Sequence, residues 1–139
     1  MSIKQVIIIR KDLNMRKGKI AAQASHASMK VFFERMKPQG YWDEYPNCQK
    51  IFAEFTDEMM TWLEWEEGKT GFTKICVSVD SEEELFELKR KADETGLPNA
   101  IVLDNGLTEF GGVKTYTCLA IGPDQSEKID LLTRDLKLL

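Results

Sequence analysis

Short apolar segments and one-sided helical stripes alternate along the chain. Four apolar segments predict strands, at residues 4–10, 72–79, 100–103 and 115–121. The first is apolar on both faces over residues 6–9, a pattern typical of a central strand that is covered by helices on both sides. The third and fourth are joined by one loop without a helix, so we expect them to run antiparallel.

The remaining periodic segments predict four helices. In the first, at about residues 16–36, Ile20, Ala24, Ala27 and Val31 follow the spacing of one helical stripe, whose small side chains let a helix lie close on a sheet. The other three helices begin near residues 56, 81 and 126. The candidate N-caps, in chain order, are Asp12 or Asn14, Thr56, Asp80 or Ser81, and Asp124 or Ser126.

The element order is β, α, α, β, α, β, β, α, which predicts one α/β domain over residues 1–139. We expect a single-domain three-layer α/β/α sandwich with a four-stranded mixed sheet. The tripeptide at residues 122–124, Gly-Pro-Asp, is expected to end the fourth strand. Residues 37–53 contain Pro38, Gly40 and Pro46 among aromatic side chains and are expected to form an irregular insertion.

The composition is that of a soluble globular protein, with 42% hydrophobic and 30% charged residues. No apolar run approaches the roughly 18 residues that a transmembrane helix needs. Residues 1–5 lead into a strand without the layout of a signal peptide. We therefore expect a cytoplasmic protein with no membrane partner.

Cysteine and histidine are too sparse to build a metal site. Cys48, Cys76 and Cys118 have no CxxC spacing and are predicted to be free, buried thiols. The single histidine, His26, excludes a multi-histidine site, and no serine lies in a GxSxG motif. We expect no cofactor and no metal, with a carboxylate-bound magnesium as the alternative that stays open.

Charge is divided unevenly along the chain. The formal net charge is −4, yet residues 1–37 hold nine Lys and Arg against two acidic residues, whereas the rest holds ten basic and twenty-one acidic residues. A net +7 opening segment in an acidic protein indicates a basic face for an anion such as a nucleic acid. A chance cluster on a solvated surface explains the same distribution and stays open.

The first predicted helix carries two polar groupings. Arg16, Lys17 and Lys19 stand at its start, where the helix dipole disfavours cations by about 0.3–1 kcal/mol but where backbone N–H groups and cations together bind phosphate. Lys19 also begins a polar stripe that continues with Gln23 and His26 at i+4 and i+7. Simple solvation of the cations and a structural role for His26 are the alternatives.

A polar loop follows the third predicted strand. Asp104 ends that strand, and Gly106, Thr108 and Thr115 come after it. Because ligand sites in open α/β sheets gather beyond the carboxyl ends of strands, Asp104 and the two threonines are candidate site residues. Asp-Asn-Gly is also an ordinary turn sequence, so a turn without a chemical role is the alternative.

These residues fit the pattern of a known family. The chain resembles the type 2 peptidyl-tRNA hydrolases, the archaeal and eukaryotic-type class, in the segment G-K-I-A-A-Q-A-S-H-A at residues 18–27, in Asp104-x-Gly106-x-Thr108, and in A-I-G-P at residues 120–123. The resemblance spans nearly the whole chain. It implies an α/β/α sandwich, commonly dimeric, and metal-independent hydrolysis of the ester that joins a peptide to the 3′ ribose of tRNA.

The resemblance also implies roles for individual residues. The lysine, aspartate and two threonines to which the family's catalysis is ascribed match Lys19, Asp104, Thr108 and Thr115. We expect the lysine to stabilise the oxyanion or a phosphate, the aspartate to orient the lysine or the attacking water, and the threonine hydroxyls to hold the water or the substrate. The predicted substrate-binding residues are Arg16, Lys17, Gln23 and His26.

The loop after Asp104 departs from the family pattern. The family usually has Thr-Gln-Ile-Ala-Pro-Gly there, whereas this chain has T-E-F-G-G at residues 108–112, which places a carboxylate between the two candidate threonines. A carboxylate beside an RNA site repels the RNA unless a cation neutralises it. We therefore predict that Glu109 pairs with a Lys or Arg of the first helix, with Lys17 and Lys19 among the candidates.

Two other classes of function compete with the hydrolase. One is a non-catalytic RNA-binding module, which needs the basic helix start but has no use for Asp104. The other is a protein-interaction domain that uses the aromatic residues of the insertion, Tyr41, Trp42 and Tyr45.

Overall fold

The fold is given by a computed structural model, which describes residues 2–37, 52–64 and 71–139. A 3-10 turn, Lys11–Leu13, follows the first strand. The strands and helices are β1 (Ile3–Arg10), α1 (Lys17–Phe33), β2 (Met36–Lys37), β3 (Phe52–Ala53), α2 (Asp57–Leu63), β4 (Lys74–Val79), α3 (Glu82–Glu94), β5 (Asn99–Asp104), β6 (Thr115–Gln125), α4 (Ser126–Thr133) and β7 (Lys137–Leu138).

A five-stranded mixed sheet, in the order β5-β6-β1-β4-β7, forms the centre of the molecule. Strand β1 runs parallel to β4, and the other neighbours are antiparallel, which confirms the predicted antiparallel pairing of β5 with β6. The prediction of four strands is wrong, because β7 adds a fifth at the edge beside β4. Two residues are too few to give a periodic signal, and β7 forms only because Val77 and Ser78 offer it an open edge.

Strand β1 divides the core into two apolar layers. Val6 and Ile8 face one layer, and Ile7 and Ile9 face the other, as the alternation of side chains along a strand requires. The predicted central position of this strand is confirmed. Helices α3 and α4 supply the first layer through Leu85, Leu88, Ala92 and Ile129, and α1 and α2 supply the second through Ala27, Val31 and Met59.

Two predicted element boundaries are wrong. Residues 122–124 do not end the fourth strand: β6 continues to Gln125 because Ile3 and Lys4 of β1 pair with its last two residues. Neither Asp12 nor Asn14 caps α1, whose N-cap is Arg16. The Asp12 carboxylate instead accepts a hydrogen bond from the Arg10 guanidinium at 2.6 Å.

The predicted N-caps of the two middle helices are confirmed. The hydroxyl of Thr56 accepts a hydrogen bond from the amide of Met59, and that of Ser81 accepts one from the amide of Glu84. Helix α4 begins at Ser126 with Gln125 as its N-cap and without a side-chain cap, so neither predicted residue serves there.

Most of the predicted insertion, residues 38–51, lies outside the described residues, and with it Cys48 and the aromatic residues proposed for a partner. The segment is bounded by β2 and β3, which pair antiparallel. Of the other two thiols, both free, Cys118 is buried and Cys76 is half-buried. Within the described ranges, no helix is both long and apolar enough to cross a membrane.

Candidate active site

A pocket of about 610 Å³ opens where α1 begins beside the end of β5. One wall is the first three turns of α1, and the other is the end of β5 with the loop that leaves it. The residues that line it are Arg16, Gly18, Lys19, Ala22, Gln23, His26, Asp104, Thr108 and Glu109.

The ammonium group of Lys19 lies on the inner wall of this pocket. Its Nζ donates to Asp104 Oδ1 at 2.9 Å and to Thr108 Oγ1 at 2.7 Å. The side chains of Lys19 and Asp104 are 11% and 15% exposed, so their mutual attraction is only partly screened by water. The ring of Phe110 stands 5.5 Å from Nζ, at the distance of a cation–π contact. The positive charge is therefore held at one place in the pocket.

Asp104 is held as a carboxylate. Its Oδ1 also accepts a hydrogen bond from Gln23 Nε2 at 3.0 Å, and its Oδ2 accepts one from the amide of Gly106 at 2.9 Å. Partial burial by itself raises the pKa of Asp104, but the hydrogen bonds from Lys19, Gly106 and Gln23 and the charge of Lys19 outweigh it and lower the pKa below its ordinary value. The group is thus ionised at neutral pH and acts as an acceptor.

The loop after β5 owes its shape to a glycine. Gly106 has φ +77°, and a Cβ there would stand 2.2 Å from the carbonyl oxygen of Val113. Any other residue would force the loop apart. The loop is closed by hydrogen bonds from the amide of Gly112 to the Gly106 carbonyl at 2.8 Å and from the amide of Val113 to the Phe110 carbonyl at 3.0 Å. This closure keeps Thr108 beside Lys19.

A second ion pair lies at the mouth of the pocket. Arg16 Nε donates to Glu109 Oε1 at 2.8 Å, and the Arg16 amide donates to Glu109 Oε2 at 3.4 Å. The hydrogen bond from the Arg16 side chain lowers the pKa of Glu109. The predicted pairing of Glu109 with a cation at the start of the first helix is confirmed, although the cation is Arg16 rather than Lys17 or Lys19. An acid 93 positions away thus offsets the basic start of α1, which has no acidic residue in its first turn.

The same geometry limits the metal chemistry that this pocket supports. Within the part of the chain that the structure describes, no group of three or more His, Cys, Asp and Glu side chains is placed to hold a metal ion. At the pocket, Asp104 already accepts from two side chains and one amide, and the ammonium of Lys19 would repel a cation. The donor set therefore suits an anion better than a magnesium ion.

A model of one protein family, described as peptidyl-tRNA hydrolase PTH2, matches residues 3–139. The chain belongs to this family. It is 44% identical over 138 residues to the peptidyl-tRNA hydrolase of Methanothermobacter thermautotrophicus, in a match that covers 99% of this chain and 100% of that protein. It is 40% identical over 136 residues to the peptidyl-tRNA hydrolase of Thermoplasma acidophilum, covering 98% of this chain and 97% of that protein.

A solved structure shares the fold. It is that of a protein of unknown function from Agrobacterium tumefaciens, with a TM-score of 0.54, 9% identity, and coverage of 100% of this chain and 98% of that one. At this identity the likeness concerns the arrangement of the elements alone.

The eight predicted site residues fall into two groups in the structure. Six of the eight line the pocket, whereas Lys17 and Thr115 do not. Lys17 is exposed at the start of α1. Thr115 pairs with Asp104 across the β5–β6 ladder, and its hydroxyl donates to the Val113 carbonyl at 2.9 Å. The six that line the pocket are Arg16, Lys19, Gln23, His26, Asp104 and Thr108.

Two residues that contact the pocket residues were not predicted to belong to the site. Phe110 follows Glu109 in the divergent part of the loop, and its ring is next to Lys19. Thr117 lies on β6, and its hydroxyl donates to Gln23 Oε1 at 2.5 Å. In the sequence, Thr117 looks like any threonine of a buried strand, so no local pattern could have assigned it to the site.

Proposed function

We propose that this chain hydrolyses the ester that joins a peptide, or an N-blocked amino acid, to the 3′ ribose of tRNA, and so releases free tRNA in the cytoplasm. The observation that carries the proposal is the ammonium of Lys19, held by Asp104 and Thr108 on the wall of an open pocket in a member of the PTH2 family. This is a fixed positive charge at the place where an ester carbonyl would develop negative charge.

The ester is activated enough for water to attack it directly. The oxygen of a water molecule bonds to the carbonyl carbon, the bond from that carbon to the ribose oxygen breaks, and the ribose oxygen takes up a proton. A covalent enzyme intermediate is not needed, and the nearby thiol of Cys118 is unsuited to form one, because burial raises its pKa to about 12. The products are a peptide with a free carboxyl group and tRNA with a free 3′ hydroxyl.

In this proposal each of the predicted catalytic residues has a distinct role. Lys19 stabilises the oxyanion, and Asp104 orients Lys19 or the attacking water. Thr108 and Thr115 hold the water, the ribose or the terminal phosphate, and Thr115 reaches them only if its hydroxyl turns away from Val113. Which of Lys19 and Asp104 handles the proton is tested by comparing the pH profiles of wild type and Lys19→Arg.

Exposed cations at the start of α1 bind and steer the tRNA. Arg16 and Lys17 are both exposed at the start of α1, where phosphate oxygens also meet free backbone N–H groups. Gln23 and His26 line the same wall, and the exposed His26 contacts the substrate in this proposal. The substrate contact predicted for Gln23 is not part of the proposal, because Gln23 is 1% exposed and its amide is bonded to Asp104 and Thr117. The homodimer that the family resemblance implies stays a prediction, and light scattering from the purified chain tests it.

A carboxylate in the pocket favours the hydrolase over a non-catalytic RNA-binding module. Asp104 would repel a phosphate in a site that only binds RNA, and it occupies the ammonium of Lys19, which such a site would use for a phosphate. The cations at the start of α1 are compatible with both functions, so they do not distinguish the hydrolase from the RNA-binding module.

Cleavage of peptidyl-tRNA in the presence of EDTA tests the proposal. N-acetyl-aminoacyl-tRNA, labelled in the amino acid, is incubated with the purified chain, and the released N-acetyl amino acid is measured. We expect turnover that is unaffected by EDTA and lost in Lys19→Ala, whereas Lys91→Ala, which removes an exposed charge from α3 on the opposite face of the sheet, retains it. Binding of the tRNA without release of the label would instead support the RNA-binding module.

A further inference from the structure

A line of hydrogen bonds runs from the core to Asp104. Thr117 on β6 donates its hydroxyl proton to Gln23 Oε1 at 2.5 Å, and Gln23 Nε2 donates to Asp104 Oδ1 at 3.0 Å. Thr117 is fully buried, and Gln23 is 1% exposed, so water does not substitute for either partner. Lys19 Nζ donates a second hydrogen bond to the same carboxylate oxygen.

The direction of this line is fixed by Asp104. An ionised carboxylate only accepts hydrogen bonds, so the Gln23 amide must turn its NH₂ group toward it and its carbonyl oxygen toward Thr117. The Thr117 hydroxyl then has to donate. If the amide turned over, its carbonyl oxygen would face the Asp104 carboxylate and the two would repel each other. Without the Thr117 hydroxyl, the buried Gln23 carbonyl loses its partner and nothing holds the amide in the productive orientation.

We propose that Thr117 is a positioning residue for the hydrolysis reaction: its hydroxyl locks the Gln23 amide so that Gln23 donates to Asp104 and fixes the carboxylate that holds Lys19. The inference rests on the proposed function for its consequence in catalysis. This role differs from the one expected of Thr115, two positions earlier on the same strand, which was to hold the water or the substrate. The Thr115 hydroxyl donates to the Val113 carbonyl, whereas the Thr117 hydroxyl donates to Gln23, which reaches Asp104.

Loss of this lock should change the titration of Asp104. Gln23 is one of the donors that lower the pKa of Asp104, so a Gln23 amide that no longer donates lets the pKa rise. Activity that requires the ionised carboxylate is lost as the pH falls through that pKa, so the acid limb of the pH profile should move to higher pH. The charged or titratable groups that face the pocket from α1 and from the loop are Lys19, Arg16, His26 and Glu109, and the variants below leave all of them in place.

The test compares three threonine variants in the peptidyl-tRNA cleavage assay. Thr117→Val removes the hydroxyl with little change of shape, and Thr117→Ser keeps it. Thr133→Val is the matched control, since Thr133 is also buried and its hydroxyl also donates, but to the Ile129 carbonyl within α4. We expect Thr117→Val to lower kcat about 3- to 10-fold with little change in KM and to move the acid limb upward, while Thr117→Ser and Thr133→Val keep the wild-type profile.

A second measurement does not depend on turnover. The carboxyl carbon of Asp104, assigned by its absence in Asp104→Asn, is titrated by NMR in wild type and in Thr117→Val. We expect a higher pKa in the valine variant, and in wild type we expect the Gln23 side-chain amide protons to shift together with the Asp104 titration. If Thr117→Val does not fold, the wild-type titration still tests whether Gln23 donates to Asp104, which the proposal requires.

The two readouts separate failure of the inference from failure of the proposed function. A wild-type protein that cleaves no peptidyl-tRNA but shows the expected NMR shifts would overturn the hydrolase and leave the lock in place. Cleavage with an unchanged acid limb in folded Thr117→Val, or Gln23 amide protons that ignore the Asp104 titration, would overturn the role of Thr117.

Discussion

Two ion pairs border one pocket and differ in how water reaches them. In the inner pair, Lys19 and Asp104 are 11% and 15% exposed, and each has further partners that fix its position. In the outer pair, Arg16 is 82% exposed and Glu109 is 13% exposed. An exposed pair contributes little to stability because water and salt screen it, whereas breaking a partly buried pair leaves a charge without compensation. Both charges of the inner pair are therefore fixed within the pocket, whereas in the outer pair only the cation is open to solvent.

The two ion pairs suit one pocket to two different tasks. A group that stabilises a transition state must be in place before the substrate arrives, which the inner pair achieves through its fixed geometry. A cation that binds a phosphate must turn away from its own carboxylate partner. The Arg16 side chain is exposed and can do so, and Glu109 keeps the hydrogen bond from the Arg16 amide.

Removal of the inner cation should give the largest effect. We expect Lys19→Ala to lower the rate of peptidyl-tRNA cleavage at least ~100-fold, because one preorganised donor to an oxyanion contributes roughly 2.7–4 kcal/mol. The fold should survive, which circular dichroism checks, and Lys91→Ala should cleave like wild type. Unchanged turnover in a folded Lys19→Ala protein would remove Lys19 from the mechanism.

The inner pair should also leave a signature in stability against pH. The pKa of Asp104 is lowered in the folded protein, so its charge stabilises the fold above the ordinary carboxyl pKa of about 3.9, and this contribution is lost as the pH falls through the lower folded value. We expect wild type to have a larger free energy of unfolding than Asp104→Asn. This difference should be greatest at pH 7 and should become smaller below about pH 4. Urea unfolding at pH 7, 4 and 3 measures it.

The Lys19→Ala background provides the control for this titration. Lys19 is one of the groups that lower the pKa of Asp104, so the pH dependence of the Asp104→Asn difference should be weaker when Lys19 is absent. A difference that stays constant from pH 7 to pH 3 would contradict the lowered pKa.

The outer cations should differ from each other in their salt dependence. Lys17→Ala should reduce the slope of log tRNA affinity against log salt by a little under one unit, as one lost phosphate contact does. Arg16→Ala should reduce this slope less. Arg16 must break its ion pair with Glu109 before it binds a phosphate, so its net contribution to phosphate binding is smaller. The double variant should weaken binding across tRNA sequences, and Lys91→Ala with Lys128→Ala removes the same charge elsewhere as a control. Equal slopes for wild type and the double variant would place the tRNA on another surface.

The smallest effect is expected at Glu109. Glu109→Gln frees Arg16 for phosphate, so tRNA binding at low salt should tighten about two- to fivefold, and the gain should fade as salt screens the charges. Glu83→Gln changes the net charge equally on exposed α3 and should have no such effect. In an Arg16→Ala background the gain from Glu109→Gln should be smaller. Affinity that is unchanged or weaker at low salt would mean that the acid only shapes the loop.

Elements with local signals could be predicted from the amino-acid sequence alone. The apolar run at residues 6–9 placed β1 at the centre of the sheet, and the small-residue stripe placed α1 on one of its faces. Ser81 capped α3 as predicted, because a cap depends on residues only three positions apart. The family motifs also selected Lys19 and Asp104, and the charge conflict at Glu109 predicted its ion pair with the helix start.

Features that depend on residues far apart in the chain could not be predicted in this way, because they arise only in the folded protein. Thr117 and Gln23 are 94 positions apart in the sequence, and Lys19 and Asp104 are 85 apart. No local sequence pattern predicts that these side chains are hydrogen-bonded. The sheet edge that turns the C-terminal residues into β7, and the pairing with β1 that carries β6 past Pro123, exist only after the strands have assembled. The physical reason is that propensities and caps act within a few residues, whereas a hydrogen bond between distant side chains requires the packed core to bring them together.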